Sequence, residues 1–143
     1  MSEEKVLLVD DEKDFLNALS ERMKAKGLEI TSATSGEEAI KAVGGEFFDA
    51  VILDMKMPGL DGIETLKKIK EVNPDVQVIL LTGHATVDKG VEAMKLGAMD
   101  FLEKPAEINS LMEKIRTAKT NKMLILEKKT EEEIKSILTE RAW

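Results

Sequence analysis

The chain has 143 residues, 34% of them charged and 43% hydrophobic, with a net charge of −7 at pH 7. That length buries one real core, and the acidic balance gives no electrostatic footprint for nucleic acid or an anionic membrane. With no cysteine and a single histidine, His84, disulfides and thiolate metal sites are excluded and a zinc centre lacks ligands. The acidic N-terminal stretch MSEEKVLLVDDE lacks the basic region and long apolar run of a signal peptide. No apolar run approaches the roughly 20 residues of a membrane span. The expectation is a cytoplasmic protein without membrane insertion.

Short apolar runs alternate with helical patterns along the chain. Lys5–Val9 reads as a strand. Glu12–Lys26 carries Phe15, Leu16, Leu19 and Met23 at helical spacing and stops at Gly27. Leu28–Ala33 alternates like a strand nearer an edge. Ser35 offers an N-cap, Glu38 completes a capping box, and Gly44-Gly45 closes a helix reaching about Val43. Phe48–Asp54 is a continuous apolar strand that leads into the turn of VILDMKMPGLDG. Asp61 with Glu64 opens a helix to about Val72, which Asn73-Pro74 breaks. Val76–Thr82 is a further apolar strand. Thr86–Leu96 reads as a helix with Val87, Val91 and Met94 on one side, Met94 as core or face packing, and a stop at Gly97. Met99–Leu102 is a short strand, and a long helical pattern follows Pro105.

In that last pattern Ile108, Leu111, Ile115, Ala118, Lys122 and Ile125 recur at steps of three and four, a short seam with a lysine in it. Lys128-Lys129 interrupts it, and Thr130 with Glu133 offers another capping box ahead of Ile134, Ile137 and Leu138. The reading favours an extended fifth helix, a break, and a short sixth helix; one helix running straight through is the alternative. Residues 1–120 are expected to form the domain and 121–143 a helical C-terminal extension.

Strict strand–helix alternation with continuous apolar strands argues a doubly wound α/β fold, a parallel sheet with helices on both faces. Ligands of such sheets bind at the carboxyl ends of the strands. Asp10-Asp11, Asp54, Thr82-Gly83 and Lys104-Pro105 all stand at predicted strand ends. Three carboxylates in one cleft repel each other, and a divalent cation removes the problem. An all-oxygen donor set selects a hard ion, Mg²⁺, which keeps waters and bridges phosphate oxygens. Lys104 adds an ammonium and Thr82 a hydroxyl, so the set suits phosphoryl transfer with Asp54 as nucleophile.

The chain resembles the receiver domain of two-component response regulators. The residues that carry the resemblance are Asp10-Asp11 in LLVDDE, Asp54 in VILDMKMPGLDG, Thr82 in LLTGHA and Lys104-Pro105 in DFLEKP, over about residues 4 to 120. The resemblance implies a five-stranded parallel sheet of flavodoxin-like order 2-1-3-4-5. It implies that Asp54 is the phosphoacceptor, charged by a sensor histidine kinase or a histidine phosphotransfer protein. Asp10, Asp11, Asp54 and the backbone carbonyl of Lys56 would hold Mg²⁺, Asp10 largely through a water. Thr82, Gly83 and Lys104 would bind the phosphoryl group, and the Lys104–Pro105 bond would be cis. Thr82 and Phe101 match the switch pair, through which the fourth helix–fifth strand–fifth helix face would control an output protein. Lys56 and His84 flank the site and would tune water attack on the phosphoaspartate. The expected protein is a signalling switch rather than an enzyme, with self-catalysed phosphotransfer and slow autodephosphorylation.

Plainer roles compete at each position. Asp10 or Asp11 can cap the first helix, Asp54 can form a turn, Lys104 can be a solvated lysine, and Thr82 and Phe101 can be ordinary strand residues. His84 can be a surface loop residue, and Asp61-Gly62 reads as turn and N-cap. Other functional classes fit less well. A nucleotide or flavin binder needs a phosphate loop where Asp10-Asp11-Glu12 stands. A Mg²⁺-dependent aspartyl phosphohydrolase typically carries a second acid two residues past the nucleophile, where this chain has Lys56. An inactive receiver used as an interaction module would not need the complete set. Within the family, the tail is either a docking or homodimerising element of a stand-alone receiver or the linker of a longer transcriptional regulator. LTGHATVDKGVEAMKLGAMDFLEKP resembles receivers of enhancer-binding regulators, while the stand-alone form is favoured.

Overall fold

The computed structural model describes the backbone of residues 4–55, 61–83 and 87–141. The strands are Lys5–Val9 (β1), Glu29–Ala33 (β2), Ala50–Asp54 (β3), Val78–Thr82 (β4) and Asp100–Glu103 (β5). The helices are Lys13–Ala25 (α1), Gly36–Gly45 (α2), Gly62–Val72 (α3), Val87–Lys95 (α4) and Ile108–Arg141 (α5). Every strand pair is parallel, and the sheet order is β2-β1-β3-β4-β5.

Side chains alternate across a strand, so a sheet covered on both faces needs apolar residues at every position. Leu7, Val9, Val51, Leu53, Val78 and Leu80 pack on one face with Ala39 and Val43 of α2, Ile63, Leu66 and Ile69 of α3, and Ala93 of α4. Val6, Leu8, Ala50, Ile52, Ile79 and Leu81 pack on the other with Leu16, Leu19 and Met23 of α1 and Leu111, Met112, Ile115 and Ala118 of α5. Each fully buried Val, Leu, Ile or Met side chain among these contributes about 1.5–3 kcal/mol of burial. The central strands β1 and β3 are thus packed on both faces, and the acids stand at their carboxyl ends.

The caps fold as their chemistry dictates. Ser35 Oγ accepts the Glu38 N–H at 3.1 Å and Asp61 Oδ1 accepts the Glu64 N–H at 2.9 Å. Glu38 reaches back to the Thr34 N–H and hydroxyl, and those two donors hold its carboxyl below the ordinary carboxylate value. Gly27 (φ 91°) and Gly97 (φ 103°) take the left-handed conformation just past α1 and α4, where a side chain would be strained.

Three sequence expectations are corrected. Gly44-Gly45 does end α2 but as its last two residues, so the helix runs two residues past the expected Val43. In the last turn the glycines cost less than the about 1 kcal/mol each of a helix interior; a Cβ at Gly44 would be in ordinary contact with Val72. On the described part of α4, Gly90 and Ala93 are buried while Val91 and Met94 face out; the side chain of Val87 lies outside the described residues. Periodicity reveals that a helix has an apolar stripe but not that a smaller-residue side is the one in contact, here because the Phe101 ring occupies the space over Gly90. Finally, α5 is one helix of 34 residues with no break at Lys128-Lys129 and no sixth helix. Thr130 does not cap; its hydroxyl donates to the Leu126 carbonyl one turn back, at 3.0 Å.

Candidate functional site

The chain leaves β1 toward β2 on one side and returns to β3 on the other, which opens a crevice at the carboxyl ends of β1 and β3. Asp10 and Asp11 follow β1, and Asp54 is the last residue of β3. One carboxylate oxygen from each of the three lies within 4.8 Å of the others. Asp10 is 3% exposed and Asp54 6%. Asp10 Oδ1 accepts the Glu12 N–H at 2.9 Å and turns the chain into α1, whose N-cap residue Glu12 makes no side-chain cap bond. The helix-starting role and the site role thus coexist, because Asp10 Oδ2 remains for Lys104.

Lys104 comes from the far side of the crevice. Its N–H donates to the Thr82 carbonyl at 2.7 Å, and the Lys104–Pro105 peptide is cis. Its Nζ lies 2.9 Å from Asp10 Oδ2 and 3.3 Å from Asp54 Oδ1. Burial pushes the ammonium's pKa down, but the hydrogen bond to Asp10 and the charges of Asp54 and Asp10 outweigh it, and the net shift is upward.

Thr82, the last residue of β4, is fully buried. Among the described residues its Oγ1 is the buried side-chain polar atom left without a hydrogen-bond partner. An unmade buried hydrogen bond costs about 1–3 kcal/mol, so such an atom calls for a reason. Gly83 follows at the surface, with open space where a Cβ would stand. Phe101 on β5 is half-buried and packs on the core. Its ring lies against α4, where a Cβ at Gly90 would sit 3.1 Å from Phe101 Cδ2. Lys56 and His84 lie outside the described residues.

Two contributors escape the sequence reading. A Cβ on Gly62 would fall 2.6 Å from Met55 Cα and 2.9 Å from the Asp54 carbonyl oxygen, so only glycine lets the start of α3 press on the backbone beside Asp54. Asp61-Gly62 read as a turn; the signal that the glycine does more is its place just past the acid's loop. The other is Phe15, whose ring lies under the Lys104 ammonium. Nothing in helical spacing announces that contact.

Asp10, Asp11 and Asp54 bring three carboxylates to one point and Lys104 brings one ammonium, an imbalance that suits a divalent cation. The donors are all oxygens, which fits Mg²⁺. The orphaned Thr82 hydroxyl and the Lys104 ammonium are donors suited to the oxygens of a phosphoryl group.

Fold and site together define a doubly wound α/β domain with an acidic, lysine-bearing pocket at its switch point. The chain belongs to the response regulator receiver domain family, whose pattern it matches over residues 6–116. It is 34% identical over 125 residues to the C4-dicarboxylate transport transcriptional regulatory protein DctD of Rhizobium meliloti, a match covering 87% of this chain and 27% of that protein. A response regulator receiver domain protein from Clostridium thermocellum superposes with a TM-score of 0.82 at 36% identity, over 85% of this chain and 98% of that one. A structure titled adenylate cyclase from Rhodopirellula baltica superposes at 0.84 with 29% identity, over 90% of this chain and 96% of that one. The chain spans about a quarter of the length of the curated DctD relative.

Proposed function

We propose that this receiver is a phosphoacceptor switch in which Asp54 takes a phosphoryl group from a phosphohistidine of a sensor kinase or phosphotransfer protein. An Asp54 carboxylate oxygen attacks phosphorus, the P–O bond forms, and the P–N bond of the donor breaks with its electron pair going to the imidazole. Lys104, already between Asp10 and Asp54, stabilises negative charge on the oxygens of the moving group. Asp10, Asp11 and Asp54 would hold Mg²⁺, with the carbonyl of Lys56 as the further ligand the family implies. When bound, the ion would neutralise the acids and polarise the phosphoryl oxygens.

The observation that carries this reading is the buried, partnerless hydroxyl of Thr82 on the strand beside Asp54. A phosphoryl oxygen on Asp54 would give it an acceptor. Phe101, two residues before Glu103, which pairs with Thr82, would follow, and the surface of α4, β5 and α5 would be the readout toward an output protein. Gly83 leaves room for the incoming group, and Lys56 and His84 would set how fast water removes it. The tail is read as the element that passes the change on, either to a docked partner or second copy or, as in a longer transcriptional regulator, to an attached output domain. Phosphotransfer and slow self-dephosphorylation, rather than turnover of a substrate pool, would be the chemistry, carried out in the cytoplasm.

Intact mass spectrometry after incubation with Mg²⁺ and acetyl phosphate tests this. A labile gain of one phosphoryl group, absent in Asp54→Asn, is expected. No adduct would sink the reading, and rapid multiple-turnover hydrolysis of the donor would replace it with the phosphohydrolase.

A further inference from the structure

We propose that Phe15 is a positioning residue for phosphoryl transfer: its ring face fixes the Lys104 ammonium over the Asp10–Asp54 pair. This role rests on the phosphoacceptor reading above. Lys104 Nζ lies 4.4 Å from the Phe15 ring centroid, 2.9 Å from Asp10 Oδ2 and 3.3 Å from Asp54 Oδ1. An ammonium on a four-carbon stem has three donors and little conformational preference of its own. Here two donors are aimed at carboxylates, and the ring supplies a third contact through the negative face of its quadrupole. Phe15 is half-buried and packs against the core of the α1–α5 face, which backs the ring where it meets the ammonium.

The same short segment delivers both partners. Asp10 turns the chain into α1 through its bond to the Glu12 N–H, and Phe15 follows in the first turn of that helix. During transfer the charge on Asp54 changes: its oxygen gains a bond to phosphorus and the leaving group departs with its electron pair. The Lys104–Asp54 contact must therefore loosen just when Lys104 is needed at a phosphoryl oxygen. The ring contact does not depend on the charge of Asp54 and holds the ammonium through that exchange. Positioning of this kind acts on the rate, since small displacements of a charge-stabilising group weaken its action in the transition state.

The experiment compares wild type, Phe15→Leu and Phe15→Tyr in the full chain, with folding checked by circular dichroism. Leucine keeps an apolar side chain and removes the ring; tyrosine keeps the ring, and its hydroxyl has room because Phe15 borders a groove of about 160 Å³ with Arg22 and Pro105. Labelling by acetyl phosphate with Mg²⁺ should slow about fivefold in Phe15→Leu, about 1 kcal/mol at 1.36 kcal/mol per tenfold, and recover in Phe15→Tyr. In the unphosphorylated protein, the Lys104 Cε protons should show an upfield ring-current shift in wild type and Phe15→Tyr and lose it in Phe15→Leu. Equal labelling rates in wild type and Phe15→Leu, or Lys104 resonances indifferent to the ring, would overturn the role while leaving the phosphoacceptor reading intact. A wild-type chain that takes no phosphoryl group would remove both, and the two failures are told apart by whether wild type labels at all.

Discussion

Thr82 concentrates the logic of the site in one atom. Its hydroxyl is buried without a partner, so in the unphosphorylated protein it is a cost with no matching gain. Removing it should stabilise that state: Thr82→Val is expected to raise the urea midpoint, with the slope unchanged, by roughly 1 kcal/mol of unfolding free energy. The same variant should respond less to phosphorylation, read as a smaller change in the spectra of α4 and β5 residues on adding acetyl phosphate and Mg²⁺. A variant less stable than wild type would mean that the hydroxyl has a partner after all. The acids around it were legible in the sequence because each is a charge at the end of an apolar strand, and strand ends converge in this fold class. Phe15 was not, because Phe15 is spaced as an ordinary core residue of its helix; that its ring meets a lysine from the opposite end of the chain is decided by tertiary packing alone.

At the scale of elements, α5 reads as two helices by local signals and folds as one. A capping box and a threonine inside a helix look alike in sequence, since the same hydroxyl can serve either an N–H ahead or a carbonyl behind; here Thr130 serves Leu126. The lysine in the seam has a clearer outcome. Lys122 is buried, donates to the Phe48 carbonyl at 3.0 Å, and lies 3.6 Å from the centroid of the Phe47 ring. It docks α5 onto the amino end of β3, opposite the acids. Burial pushes its pKa below 10.5, and the charges of Asp49 and Asp75 offset only part of that. The native state thus binds the proton less tightly than the unfolded chain, and stability rises with pH between the lowered native value and 10.5. Lys104 has the opposite sign: its native value is raised, so its contribution is present below 10.5 and lost as pH climbs through the native value. Lys122→Met should flatten the rise just below 10.5 and spare the loss above it, measured by urea unfolding across that range. Lys70, also lowered by burial, keeps part of the rise. An unchanged slope in Lys122→Met would show that Lys122 keeps an ordinary pKa.

For the whole molecule the question is what keeps the far half of α5 helical. Its near half is held by Leu111, Met112, Ile115, Ala118 and Lys122, all buried. Beyond Lys129, which pairs with Asp75, the described side chains are all exposed, including Ile134, Ile137 and Leu138. A helical segment of this kind without tertiary contacts is marginal in water, and exposed aliphatic side chains on one helix end are ready to be covered. A chain ending at Lys129 should therefore unfold in urea within about 0.5 kcal/mol of the full chain, because the described side chains it removes are exposed. The full chain should gain helical signal and molar mass with concentration, by circular dichroism and light scattering, while the shortened chain stays at one mass. If the full chain instead holds a monomer mass throughout and the same helical signal at every dilution, a second copy is not what supports the tail. Its helix would then rest on continuity with the docked half of α5, and the domain and its extension would be coupled through the buried clamp at Lys122 and the Lys129–Asp75 pair.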